Sequence, residues 1–195
     1  MMYKKTETLR QELDAMIQHL EDYVLDQRLF KTITVFGAKS NRLIKMTLGG
    51  MLERISELER EGENNEILLL IDRAKEALKR EEGRQRKGFI ALLARESKSY
   101  TDSWDWFLQN CWEDDADCGA NYAQEVNLRL RLERLLQYGG HHAELAASRR
   151  RVRLLDQRLS SIWQKSNTPI IGSPDDFPPD AYWWLYGQPS AQNGH

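Results

Sequence analysis

Apolar residues recur along most of this chain at alternating spacings of four and three, the period that lines one face of an α-helix. Leu9, Leu13, Met16, Leu20, Tyr23, Gln27 and Phe30 predict a first helix over about residues 5–30 with one continuous seam. Thr6 or Thr8 can cap its start, with Glu7 and Glu12 near the positive end of the helix dipole. Ile44, Leu48, Met51, Ile55 and Leu58 predict a second helix over about residues 41–61. Gly49-Gly50 then falls inside it, at a cost of about 2 kcal/mol relative to alanines. Gly62, Asn64 and Asn65 form a turn. Ile67, Ile71, Ala74 and Leu78 mark a third helix, and the apolar stretch from Phe89 to Ala94 resumes the pattern, consistent with one long helix over residues 65–98. A fourth is expected over 121–138, ending at Gly139-Gly140. A fifth is expected over 142–165, with Leu145, Val152, Leu155, Leu159 and Ile162 on one face.

One stretch departs from this grammar. Thr32-Ile33-Thr34-Val35-Phe36 is β-branched and aromatic and suits a strand. A lone strand needs a partner, and none stands out, so a helix end or a bent connection is expected there. All five prolines follow residue 168, which leaves the first 168 residues free to form long helices. No convincing repeat at a period of about 20 to 50 residues occurs. The expected fold is all-α: about five helices, several long, in an elongated or coiled-coil-like bundle over residues 1–165, with an irregular, proline- and aromatic-rich tail over 166–195.

Composition changes this picture little. A chain of 195 residues with 30% charged and 41% hydrophobic residues can fold around a core, and its net charge of −2 excludes a wholesale polycation. No apolar run approaches the roughly 20 residues needed to span a bilayer. The polar stretch after Lys4-Lys5 is no secretory signal. Cys111 and Cys118 are too few for a disulfide framework and read as two buried or partly buried thiols, so a reducing, cytoplasmic setting is expected.

The local charge is more informative. Residues 128–165 carry nine bases and three acids, and eight of those bases are arginine. Residues 79–98 carry seven bases and three acids, whereas residues 100–118 carry six acids and no base. Arginine forks bind phosphate or carboxylate bidentately. Arg129, Arg131, Arg134, Arg149, Arg150, Arg151 and Arg153 could therefore meet nucleic-acid phosphates, or the protein's own acidic segment.

Candidate chemistry is sparse. Gly37-Ala38-Lys39-Ser40 shares the end of a phosphate-binding loop, but Ala38 separates glycine from lysine and Thr32 stands where that loop has its first glycine. Cys111, Cys118, His141 and His142 lack zinc-ligand spacing. His142 and Glu144 are two apart and cannot share a helix face. Asp114-Asp115 has no separating cleft to make it an acid–base pair. No catalytic residue, metal, cofactor or small-molecule substrate is therefore expected, and no membrane. The aromatic cluster Tyr182-Trp183-Trp184-Leu185-Tyr186 must dock somewhere, on the chain's own helices or on a partner. The leading expectation is a non-catalytic interaction protein, an adaptor or a subunit of a larger assembly or a self-associating chain. Its contacts would be Trp183, Trp184 and Tyr186, with Trp104, Trp106 and Trp112 as a second contact or core cluster. The alternative is a helical nucleic-acid-associated subunit that uses the arginines named above.

Overall fold

The computed structural model describes residues 2–37, 40–61, 64–113, 118–140 and 142–189. Among them the chain is all-α in character, with six α-helices and two small antiparallel sheets. Helix α1 (Met2–Asp26) carries the predicted seam: Leu9, Leu13, Met16, Leu20 and Tyr23 are all buried. It stops short of Gln27 and Phe30 because Gln27 turns into the left-handed region, at φ 53°. The Gln27 amide donates to the Gly88 carbonyl at 2.9 Å, which anchors this turn.

The β-branched stretch is a strand after all. β1 (Lys31–Val35) pairs with β2 (Arg42–Met46), with Ile33 opposite Ile44 and Thr34 opposite Leu43. This corrects the expected bent connection, and the partner strand occupies what read as the start of the second helix. Helix α2 (Leu48–Glu61) begins later, so Gly49 and Gly50 lie in its first turn rather than its interior. Thr47 caps it by accepting from the Gly50 N–H at 2.8 Å.

Helix α3 (Asn65–Arg84) starts where the Asn64 side chain accepts from the Glu66 N–H at 2.9 Å. It ends at Gln85, whose φ of −127° and ψ of 39° interrupt the long helix expected here. Helix α4 (Arg86–Glu113) runs on through the acidic aromatic segment, with Trp104, Phe107, Leu108 and Cys111 buried at helical spacing. Helix α5 (Cys118–Tyr138) ends at the glycine pair, and α6 (Ala146–Ser160) follows a short 3-10 turn. β3 (Trp163–Lys165) pairs with β4 (Gly187–Pro189), which returns from the tail. Lys165 faces Gly187, whose φ is 146°; a Cβ there would strike the Gln164 carbonyl, so the pairing requires glycine.

The chain divides into two compact units. The first comprises residues 1–97 and 134–145, the second 98–133 and 146–195; two boundaries fall inside α4 and α5 and the third just before α6. In the first unit α1 packs against α2, α3 and β1. In the second, Trp104, Tyr122, Val126, Leu155, Leu159, Phe177, Trp184, Leu185 and Tyr186 share one core. No helix of the described residues is long and apolar enough to cross a membrane.

Candidate interaction surface

The sequence singled out tryptophans and arginines, and the fold sorts them. Trp184 and Tyr186 are buried in the second unit. The Tyr122 hydroxyl donates to the Trp184 carbonyl at 2.6 Å, and the Tyr186 hydroxyl to the Phe177 carbonyl at 2.6 Å. Tyr122 is held well above the usual phenol range by burial. Trp104 is buried against Phe107 and Tyr122. Trp183 is partly buried, edge-on to Trp163 at 5.4 Å, and Trp112 lies 3.7 Å beneath the Arg158 guanidinium. The aromatic tail therefore docks on this chain's own helices. Of the six aromatic residues named as contacts, Trp106 alone is largely exposed, at 67%.

Three of the seven arginines, Arg129, Arg134 and Arg151, meet the protein's own acids. Arg129 is buried, donating to Glu133 at 2.7 Å and Asp156 at 3.1 Å, with its guanidinium 4.7 Å over the Trp184 ring. Burial pulls its pKa down, but Asp156 and then Glu133 hold it above the ordinary value; burial pushes Asp156 up. Arg151 binds Asp102 at 2.6 Å and also Asp105, so the acidic aromatic segment is this arginine's partner within the chain. Arg134 approaches Glu53 and Ser56, and Arg131 and Arg149 are engaged as well. Arg150 and Arg153 remain exposed on α6.

The cysteines are not thiols: Cys111 and Cys118 form a disulfide, with Cα atoms 5.0 Å apart, joining the end of α4 to the start of α5. This corrects the expectation of reduced thiols and removes the reason given for a reducing compartment. Sequence had no means of showing the pair, because pairing depends on two helix ends meeting. A bridge over a sequence separation of 7 restricts the unfolded chain, so reduction is expected to cost the second unit roughly 2 kcal/mol. Thermal unfolding followed by tryptophan fluorescence, with and without reductant, checks this; an unchanged midpoint would count against the bridge.

A small cluster of titratable groups lies apart from the ion pairs above. Glu82 bridges the Tyr138 hydroxyl and His142 Nε2, each at 3.0 Å, and burial followed by Glu82 raises the Tyr138 pKa. This clasp ties α5 to α3. An open depression of about 430 Å³ beside α1 and α3 has its charges already matched, Arg10 to Glu66 at 2.9 Å and Arg73 to Asp14 at 3.3 Å. Among the described residues no three His, Cys, Asp or Glu side chains are placed to hold a metal. Ala38-Lys39, Asp114-Asp115 and His141 lie outside the described residues.

What the sequence did not single out is the outer face of the hairpin. Alternation along β1 sends Ile33 and Val35 inward and Thr32 and Thr34 outward; Phe36 continues the outward set at 75% exposure. On β2, Leu43 and Lys45 point out, Leu43 at 73%. Lys45 sits 4.8 Å over the Phe30 ring. Leu25, Leu29, Phe30, Phe36 and Leu43 are thus five exposed large apolar residues within one short stretch of chain. The hairpin is held firmly behind: Glu12 of α1 accepts from Arg42 of β2 and Arg54 of α2, both at 2.8 Å. Compared with known proteins, the chain matches no protein-family model, no curated protein and no solved structure.

Proposed function

We propose that this protein is a non-catalytic interaction protein, an adaptor or subunit of a larger assembly. The observation that carries this reading is the concentration of exposed apolar side chains at the hairpin, on a rigidly anchored element. Large exposed apolar groups on one side of a small protein mark contact sites. The other features that suggested function, the tail aromatics and three of the seven arginines, serve the chain's own packing. With the cysteines bridged, cysteine usage no longer argues for a cytoplasmic home; thiol titration on protein from its native source decides that point.

The test is affinity purification of the tagged full chain from native cells, split with and without nuclease. A protein partner that survives nuclease at defined stoichiometry is expected; recovery of the chain alone would reject the reading. The second reading, nucleic-acid association, now rests on Arg150 and Arg153, exposed within one turn of each other on α6. It predicts loss of partners on nuclease treatment and binding that weakens steeply with salt. Arg150→Glu with Arg153→Glu would abolish such binding.

A further inference from the structure

The stretch from Gln27 to Leu52 contains five basic residues, Arg28, Lys31, Lys39, Arg42 and Lys45, and no acidic one, in a chain whose net charge is −2. This is the same stretch that presents Phe30, Phe36 and Leu43. Two of its cations are turned to the protein's own acids: Lys31 to Asp22 and Asp26, and Arg42 to Glu12. Arg28 and Lys45 are exposed, and Lys39 lies outside the described residues. The outer face therefore combines apolar side chains with the positive charge of Lys45, while Arg28, in the turn before β1, acts on Asp26. Leu43 stands directly opposite Thr34 in the register, and Phe36 is the next outward position along β1, so the two side chains are diagonal neighbours on one face. Phe30 and Lys45 mark the other end of that face.

From this juxtaposition we infer that the outer face of the β1–β2 hairpin is a docking site for an acidic peptide segment of a partner protein, one that carries bulky apolar side chains between its carboxylates. The inference rests on the interaction reading above and names the surface and the chemistry of its partner. Charge complementarity selects the occupant. A second copy docking through the same face would bring together two patches that each carry Lys45 and no free acid of the hairpin, and like charges oppose that pairing. Single-stranded nucleic acid would find cations here, but it binds on flat rings and several free phosphate contacts. This face offers leucines beside its phenylalanines, with one ring already covered by Lys45 and two cations already spent on Asp26 and Glu12. An acidic, apolar peptide suits it: a carboxylate meets the outward Lys45, and Leu or Phe side chains cover Phe36 and Leu43.

A random short-peptide display library panned on the full chain tests this. Selected peptides are expected to be enriched in Asp and Glu interleaved with Leu, Ile, Phe or Trp. Their affinity should fall about tenfold or more in the Phe36→Ser, Leu43→Ser double variant and severalfold between about 50 and 300 mM salt. Because both side chains already face water, the variant should keep the wild-type circular dichroism spectrum and melting point, so that lost binding reads the surface and not the fold. Peptides without acidic enrichment, peptides indifferent to the double variant, or no selection at all would overturn the inference. So would binding of oligo(dT), or concentration-dependent dimerisation in light scattering, if either depended on Phe36 and Leu43, since the face would then belong to nucleic acid or to a second copy. If the display experiment fails while a nuclease-resistant partner still co-purifies with the double variant, the interaction reading stands and the hairpin is not its surface.

Discussion

Arg129→Met is expected to lower the stability of the second unit by about 3 kcal/mol. The side chain is buried, and it is the cation shared by Glu133 on its own helix and Asp156 on α6. Removing it leaves two carboxylates facing each other beside an apolar core, and takes the guanidinium off the Trp184 ring. A fully enclosed pair would lose more, about 3–5 kcal/mol, but Glu133 and Asp156 keep side-chain exposures of 24% and 21%, so water offsets part of the loss. The neutral triple replacement Arg129→Met, Glu133→Gln, Asp156→Asn should recover much of it, because the cost lies in the unpaired charges and not in the absence of the pair. All six tryptophans lie in the second unit, so urea unfolding followed by tryptophan fluorescence reads this effect directly. A loss below about 1 kcal/mol would mean that the triad is solvated like a surface ion pair.

The same triad shows how far sequence reading reaches. Arg129 and Glu133 stand four apart on a predicted helix, and their pairing is visible from spacing alone. Asp156 is 27 residues further on and has no local signal, so the sequence left the arginine open between phosphate and the protein's own acids. The helical seams were legible because burial repeats every turn: every apolar position named for α3 and α6 is buried. The hairpin was not. Ile44 fits a helical spacing from Leu48 as well as it fits a strand, and the outward Phe36 and Leu43 erase the alternation of apolar and polar positions that identifies a half-buried strand. The feature that hid the hairpin is the one that makes it a candidate surface. The tail was legible in outline, since four aromatics and a leucine in a row had to be covered; where they docked depended on Tyr122 and the α5–α6 core. The disulfide needed the meeting of two helix ends, and no spacing rule supplies that.

In the first unit the largest expected effect belongs to Glu96, a fully buried carboxyl on α4 that the sequence did not single out. Its Oε1 accepts from the Leu48 N–H at 2.7 Å and its Oε2 from the Gly49 N–H at 2.9 Å, so it closes the start of α2 where backbone donors have no helical partner. The Tyr23 hydroxyl lies 2.7 Å from Glu96 Oε1 and 2.8 Å from the Leu29 carbonyl oxygen. A phenol has one proton to give. With that proton on the Leu29 carbonyl, a neutral Glu96 donates its own to the Tyr23 oxygen, and every group in the chain is satisfied. Burial drives the carboxyl the same way, up to about 7 from 4.5, against the Gly49, Tyr23 and Leu48 donors that favour the anion. The folded-state pKa is raised, so the stabilisation is fully present below about 4.5 and is lost as pH rises through about 7, by about 3 kcal/mol in all. Glu96→Ala strands two backbone N–H groups and removes the carboxyl from the Tyr23 oxygen, and should cost about 4 kcal/mol. Glu96→Gln keeps a donor toward Tyr23 but turns an amide nitrogen on the Leu48 N–H. It should cost about 1–2 kcal/mol at low pH and show none of the loss between about pH 5 and 8. Urea unfolding followed by far-ultraviolet circular dichroism across that range checks both; wild type and Glu96→Gln running parallel throughout would show an ionised carboxylate held by its three donors.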